Sequence, residues 1–160
     1  MASWAEVEAQ APELASAARE LLDSRVHKTI ATVRRDGSPR ISGTEAFFLD
    51  GDLWFGSMWQ ARKALDLRRD PRFALHGGTV DPPDWSADAK VSGRAVEVLD
   101  QDRVDAVLAA RGGERPDGPL HLFRADLTDV VVTRLGGDPP DRLVIDFWRE
   151  DDRVRRIERR

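Results

Sequence analysis

The chain has 160 residues, of which 41% are hydrophobic and 34% are charged, and its formal net charge is −4 at pH 7. This length suits one domain with a real hydrophobic core, and the nearly balanced charge gives no support to a nucleic-acid partner. The absence of cysteine excludes a disulfide framework and a thiolate zinc site, and three scattered histidines argue against a histidine metal site.

The sequence shows no sign of membrane insertion or export. No apolar run approaches the roughly 20 residues needed to span a bilayer, and Glu6 and Glu8 occupy a region where a secretory signal is basic. We therefore expect a cytoplasmic protein with no membrane partner. The whole chain is predicted to form one domain, with an N-terminal helix within 1–25, a barrel over 26–150 and a charged tail over 151–160.

The first half of the chain predicts a helix followed by a strand meander. Apolar residues recur at three- and four-residue spacing over 5–23, which indicates an amphipathic helix. The dipeptides Asp36-Gly37 and Asp50-Gly51 are strong signals of tight turns between strands. The predicted elements are strands at 29–33, 40–49 and 53–58 and a helix at 59–69.

The second half continues with short strands and turns. Gly93 inside the long predicted strand 89–99 indicates a β-bulge. The predicted elements are strands at 72–76, 89–99, 120–124, 128–135 and 142–149 and a short helix at 101–110. Because strand follows strand with few helices between them, a small closed barrel is favoured over a parallel βαβ arrangement.

The junction between the third strand and its helix has the features of a phosphate site. Arg62 and Lys63 are adjacent in the first turn of the predicted helix. Free backbone N–H groups and the positive end of the helix dipole favour an anion at the same place. The alternative is a solvated helix face, since Arg68 and Arg69 follow nearby.

The block from Asp36 to Leu75 resembles the pyridoxamine 5′-phosphate oxidase-like proteins, especially at Gly56-Ser-Met-Trp-Gln-Ala-Arg-Lys. The run 90–98 adds to this resemblance, which covers roughly residues 15–150. It implies a mainly β fold: an FMN-binding split barrel of six antiparallel strands in a Greek-key arrangement. It also implies a homodimer with FMN or the deazaflavin coenzyme in clefts at the subunit interface.

Carried over by position, the resemblance assigns residues to cofactor binding. Arg62 and Lys63 would hold the phosphate, and the strand 40–43 would pass along the isoalloxazine ring, where Gly43 has no Cβ to obstruct it. An ordinary solvated strand face is the alternative for that strand. The implied cofactor-binding residues are Arg40, Ile41, Ser42, Gly43, Ser57, Met58, Trp59, Gln60, Arg62 and Lys63.

The sequence also departs from the vitamin B6 oxidase pattern. It contains no tyrosine, Ala61 stands where that enzyme has a serine, and the C-terminal Arg-x-His is missing. Pyridoxamine phosphate is therefore not the expected substrate, and the reductase-like branch is favoured. We predict an oxidoreductase that transfers a hydride between a flavin or deazaflavin and a small organic substrate, without an assigned catalytic side chain. The alternative is a module that binds or sequesters the cofactor without turnover.

Two further features receive a structural interpretation. His76 and His121 are interpreted as structural histidines rather than proton donors. The tail contains five arginines, but acidic residues precede it and no aromatic residues interleave with it. We therefore expect it to fold over a partner subunit or to reach an anion rather than to bind nucleic acid.

Overall fold

The structure, a computed structural model, describes residues 2–113 and 117–160, which form four helices and eight strands. The helices are α1 (Trp4–Gln10), α2 (Pro12–Asp23), α3 (Arg62–Arg69) and α4 (Gln101–Arg111). The strands are β1 (His27–Val33), β2 (Pro39–Leu49), β3 (Asp52–Met58), β4 (Arg72–His76), β5 (Ala87–Glu97), β6 (Leu120–Gly136), β7 (Arg142–Arg149) and β8 (Asp152–Arg159). None of the described helices combines the length and apolar character needed to cross a bilayer.

Six strands form a closed antiparallel barrel. They are hydrogen-bonded in the order β3-β2-β1-β4-β5-β6, and β3 also pairs with β6, which closes the ring. Strands β7 and β8 continue the same sheet outward from β6. The prediction of a mainly β, six-stranded split barrel is confirmed.

Strand β2 changes partners along its length, and this opens the barrel wall. Residues 39–45 pair with β1, whereas residues 46–49 pair with β3. Strand β3 in turn pairs with β6 over residues 54–58. The two strands therefore diverge beyond the pair Ala46–Phe55, and within the described chain no strand covers the β3-facing edge of β2 over 39–45.

The core runs through the barrel and under α2. Inside the barrel, the rings of Phe73 and Phe123 lie 5.2 and 5.6 Å from that of Phe55. Helix α2 packs on β5 and β6 and covers Val130 and Val132, which continue the interior face beyond the barrel. Each of these buried apolar side chains contributes roughly 1.5–3 kcal/mol to stability, so this core fixes the strands that border the split.

The helix predicted over 5–23 is wrong as a single element, because the structure divides it. Helix α1 begins with a capping box formed by Ser3 and Glu6. Helix α2 then begins at Pro12, the first helical position, where the missing proline N–H has no partner to lose. A proline inside one continuous helix would have removed a hydrogen bond and caused a clash.

The two strands predicted at 120–124 and 128–135 are one strand, β6. Asp126 and Leu127 remain paired with β5, and a shift in register at Gly93 absorbs one extra residue. A Cβ at Gly93 would lie 2.1 Å from the carbonyl oxygen of Asp126. The predicted bulge at Gly93 is therefore confirmed, and it lets β6 continue without a break.

The segment predicted as a charged tail contains a strand. Strand β8 pairs antiparallel with β7, with Ile157 opposite Ile145. The guanidinium of Arg156 lies 2.6 Å from the carboxylate of Asp146. Cross-strand pairs of this kind stabilise a strand whose own sequence is mostly charged. A contact of these arginines with a partner subunit or an anion stays a prediction.

Candidate functional site

The start of α3 carries two adjacent cations, Arg62 and Lys63. No acidic residue lies in the first turn of the helix, and Ala61 provides no side-chain cap. The backbone N–H groups of the first turn therefore lack an acceptor. Arg62 is exposed, and no ion pair to it is found within the described residues. Helix dipole, free N–H groups and guanidinium all favour an anion here.

Lys63 spans the split in the barrel wall. Its Nζ donates a hydrogen bond to the carbonyl oxygen of Gly43 on β2, at 2.5 Å. Burial lowers the pKa of the Lys63 ammonium, and the charge of Glu45 partly opposes this effect. A bound anion would favour the charged form of the ammonium, which the protein alone supports poorly.

The open edge of β2 presents a flat surface beside this lysine. The Gly43 carbonyl faces the split, and because a strand residue directs its C=O and N–H to the same side, its N–H faces the split as well. A Cβ at Gly43 would have no neighbour within 4 Å, so the space over it is open. Ile41, two residues before it on the same face, is 74% exposed.

Arg40 and Ser42 project from the opposite face of β2, and Arg40 is engaged elsewhere. Its Nε lies 2.7 Å from the buried carboxylate of Asp66 on α3, which also accepts a hydrogen bond of 3.0 Å from Thr32. Burial raises the pKa of Asp66, but the hydrogen bonds from Arg40, Thr32 and Arg69 outweigh burial and lower it. This cluster anchors α3 to β1 and β2, and a cofactor-binding role of Arg40 stays a prediction.

The turn between β3 and α3 brings the remaining predicted residues to the mouth of the split. Ser57 is buried, whereas Met58 and Trp59 are 81% and 52% exposed. Gln60 has a positive φ of 56°, a left-handed conformation that is uncommon for residues other than glycine. The N–H of Ala61 closes the turn on the carbonyl of Met58, at 3.1 Å.

Sequence reasoning missed the part that His121 plays in this turn. The residue lies on β6 opposite Ser57, and its Nε2 accepts a hydrogen bond from the backbone N–H of Gln60, at 3.2 Å. Its Nδ1 lies 2.6 Å from Glu97. The full burial of His121 fits its interpretation as a structural histidine. The pairing of β3 with β6, which closes the barrel, brings it to the site.

A family model confirms the resemblance that the sequence suggested. The model described as pyridoxamine 5′-phosphate oxidase matches residues 14–134. The chain belongs to the pyridoxamine 5′-phosphate oxidase-like family. The match spans both sides of the split, from α2 through β6, so the candidate site lies within the part of the chain that the family shares.

Solved structures share the split-barrel fold of this pyridoxamine 5′-phosphate oxidase-like chain. A pyridoxamine 5′-phosphate oxidase-related, FMN-binding protein from Nostoc punctiforme is 16% identical with a TM-score of 0.60, covering 100% of this chain and 98% of that one. General Stress Protein 26 from Bacillus anthracis is 19% identical with a TM-score of 0.60, covering 84% and 96%. A heme-binding protein from Mycobacterium smegmatis is 15% identical with a TM-score of 0.57, covering 88% and 85%. Identities this low show the fold alone, and no curated protein matches the sequence.

The departure from the vitamin B6 oxidase at Ala61 has a clear structural setting. Ala61 is the N-cap of α3, and its methyl group can donate no hydrogen bond to a bound anion. In this pyridoxamine 5′-phosphate oxidase-like protein the groups that could hold an anion here are therefore the backbone N–H groups of the first turn and the side chains of Arg62 and Lys63. Among the residues described, no group of three or more His, Asp or Glu side chains is placed to hold a metal ion.

Proposed function

We propose that the chain is a flavin- or deazaflavin-dependent oxidoreductase that holds the phosphate of its cofactor at the start of α3. The observation that carries this proposal is the combination of an uncapped helix start with two adjacent cations, neither of which has an ion pair among the described residues. Both FMN and the deazaflavin coenzyme carry a phosphate beside a flat ring system. Such a group would supply the negative charge that this end of α3 lacks.

The open edge of β2 supports the placement of the ring. Space is free over Gly43, and the Gly43 N–H is directed into the split. A planar ring lying along this edge would meet backbone polar groups on one side and the exposed side chain of Ile41 on the other. Lys63, which touches both the helix start and this edge, would link the phosphate end of the cofactor to its ring end.

Hydride transfer to or from a small organic substrate is the chemistry that the cofactor would supply when bound. The residues of the chain bind and orient it: the first turn of α3 fixes the phosphate, and the edge of β2 fixes the plane of the ring. Trp59 and Met58 border the mouth of the split with exposed apolar surface, which would exclude water from the ring. No side chain is proposed to exchange a proton with the substrate.

A homodimer belongs to this proposal. The exposed apolar side chains of Ile41, Met58 and Trp59 surround the split, and a single barrel leaves them in water. A second barrel packed against this surface would bury them and would complete the walls of the cleft. Analytical ultracentrifugation of the wild-type protein tests this point, and a monomer at micromolar concentration would contradict it.

The first experiment is a fluorescence titration of the purified protein with FMN and, in parallel, with the deazaflavin coenzyme. We expect the double variant Arg62→Ala/Lys63→Ala to bind FMN about 100-fold more weakly, since each charge-assisted hydrogen bond is worth roughly 1.5–3 kcal/mol. Riboflavin, which lacks the phosphate, should bind both proteins with similar affinity. A matched control is Arg34→Ala/Arg35→Ala, which removes two exposed arginines from the β1–β2 turn and should leave FMN affinity unchanged.

The outcomes separate the alternatives. No binding of either cofactor at micromolar concentration contradicts the proposal. Binding of a cofactor whose reduced form is not oxidised by any of a panel of quinones, nitro compounds and enones would favour the module that binds without turnover. Haem is a weaker candidate, because both ring nitrogens of His121, the histidine nearest the split, already have partners within the chain.

A further inference from the structure

A column of aromatic rings connects the barrel core to the mouth of the split. Phe55 and Phe123 stack in the core, and the ring of His121 lies 6.1 Å beyond Phe123 with an interplanar angle of 19°. The indole of Trp59 stacks on the outer side of His121, at 4.7 Å and 10°. Trp59 is half-exposed, whereas His121 is fully buried. The imidazole is therefore the last buried ring before the cleft.

Hydrogen bonds define the protonation pattern of this imidazole. The N–H of Gln60 donates to Nε2 of His121, so Nε2 carries no proton. Nδ1 therefore carries the proton and donates it to the carboxylate of Glu97, at 2.6 Å. The other oxygen of Glu97 lies 3.0 Å from Nε of Arg68 on α3. The chain thus fixes both the tautomer and the plane of the ring.

These contacts hold α3 near both of its ends. The Gln60 N–H lies immediately before the helix, and Arg68 lies in its last turn. Gln60 adopts a left-handed conformation, which is unfavourable for a side-chain-bearing residue unless surrounding contacts enforce it. The bond to Nε2 is the contact that the structure provides for its backbone N–H.

We propose that His121 is a positioning residue for the cofactor. Its unprotonated Nε2 holds Gln60 in the left-handed conformation, and the turn that Gln60 forms directs the first N–H groups of α3 and Lys63 toward the phosphate. The expected effect of His121 on cofactor affinity rests on the proposed function. Its effect on the conformation of the turn at Gln60 can be measured without a cofactor.

Two conservative substitutions separate the roles of the two ring nitrogens. In His121→Gln the side-chain amide reaches the position of Nε2, so its oxygen still accepts from the Gln60 N–H. In His121→Asn the amide reaches only the position of Nδ1, so the bond to Glu97 is kept and the bond to Gln60 is lost. Both variants lose the imidazole ring and its stacking with Trp59, which makes them matched controls for each other.

The first readout is hydrogen exchange of the Gln60 amide in the cofactor-free protein by NMR. We expect exchange about tenfold faster in His121→Asn than in the wild type, and close to the wild-type rate in His121→Gln, since one hydrogen bond is at stake. The amide of Gly77, which is bonded to Ala89 in a different part of the barrel, serves as the internal reference. Equal exchange rates at Gln60 in the two variants would overturn the proposal.

The second readout is the dissociation constant for FMN. We expect His121→Asn to bind about tenfold more weakly and His121→Gln to stay within about twofold of the wild type. The variant Val132→Ala, which loosens the core under α2, should reduce stability without changing affinity. If His121→Asn and His121→Gln weaken FMN equally, His121 is only structural and the proposal fails. If the wild type binds neither FMN nor the deazaflavin coenzyme while Gln60 exchange differs as expected, the proposed function fails and the positioning of the turn stands.

Discussion

The two ends of α3 carry similar cations in opposite circumstances. In the last turn, Arg68 pairs with Glu97, and Arg69 contacts both Asp66 and the carbonyl oxygen of Val33. In the first turn, Arg62 has no ion pair within the described chain, and Lys63 contacts only a carbonyl. The helix dipole favours cations at the last turn and disfavours them at the first. The charge at the first turn therefore lowers the stability of the protein alone, and a bound anion would offset this effect.

We expect the largest effect on stability from removal of the Asp66 carboxylate, which anchors the last turn of α3. We expect Asp66→Ala to lower the free energy of unfolding by about 3 kcal/mol, because Arg40 and Arg69 lose a buried partner. Urea denaturation measures the change. The control Asp70→Ala removes an exposed partner of Arg72 and should change stability far less. Equal losses in the two variants would mean that the buried cluster does not anchor α3.

A carboxylate introduced at the N-cap of α3 should neutralise the cations of its first turn, as Asp66 and Glu97 do for those of its last turn. Asp at an N-cap is strongly preferred over Ala, so we expect Ala61→Asp to raise the free energy of unfolding by about 1 kcal/mol. The same carboxylate should repel a phosphate and weaken FMN binding at least about tenfold. Ala61→Asn caps the helix without charge and should stabilise to a similar degree with a smaller loss of affinity. Identical affinities for the two variants would contradict an anion site at this place.

The pH dependence of FMN affinity should report on Lys63. Burial lowers the pKa of Lys63 in the free protein, and a bound phosphate favours the ammonium, so binding takes up a proton above that lowered pKa. Affinity is therefore full below the lowered pKa and falls, by about tenfold per pH unit at most, as pH rises through it. In Lys63→Arg the charge is retained and this decline should disappear. An unchanged decline in the variant would assign it to another group.

The smallest effect on stability is expected at Arg68, the exposed residue of the chain of contacts from His121 through Glu97 to Arg68. Arg68 is 46% exposed, and ion pairs of this kind contribute up to about 1 kcal/mol. Arg68→Ala should therefore reduce the free energy of unfolding by no more than that amount, as measured by urea denaturation. It should leave FMN affinity nearly unchanged, since Glu97 still accepts from His121. A large loss of affinity would mean that the last turn of α3 also holds the ligand.

The elements that sequence predicts well are those with local causes. The turn at Asp36-Gly37 and the turn at Asp50-Gly51 both form, and each glycine adopts the positive φ that the turn requires, 84° and 76°. The two cations in the first turn of α3 were also predicted, although the helix begins at Arg62 rather than at residue 59.

What sequence did not predict depends on residues far apart in the chain. The ion pair between Arg40 and Asp66, 26 residues away, was not predicted, and the assignment of Arg40 to the cofactor stays a prediction. His121 meets Gln60 across 61 residues, and only the pairing of β3 with β6 creates that contact. Strand β8 contains too few apolar residues for its sequence pattern to predict a strand, and its register is set by residues on β7. Local patterns carry no information about these pairings.

Strand β8 is the outermost strand of the described sheet, and four of its eight residues are arginine. An unpaired margin of backbone donors and acceptors is a template onto which another chain can add a strand. On a margin lined with guanidinium groups, a second copy of the same strand would bring like charges into register. The arginines of β8 would therefore oppose the addition of a second copy of this strand. Replacing them with neutral residues would be expected to favour growth of the sheet by strand addition.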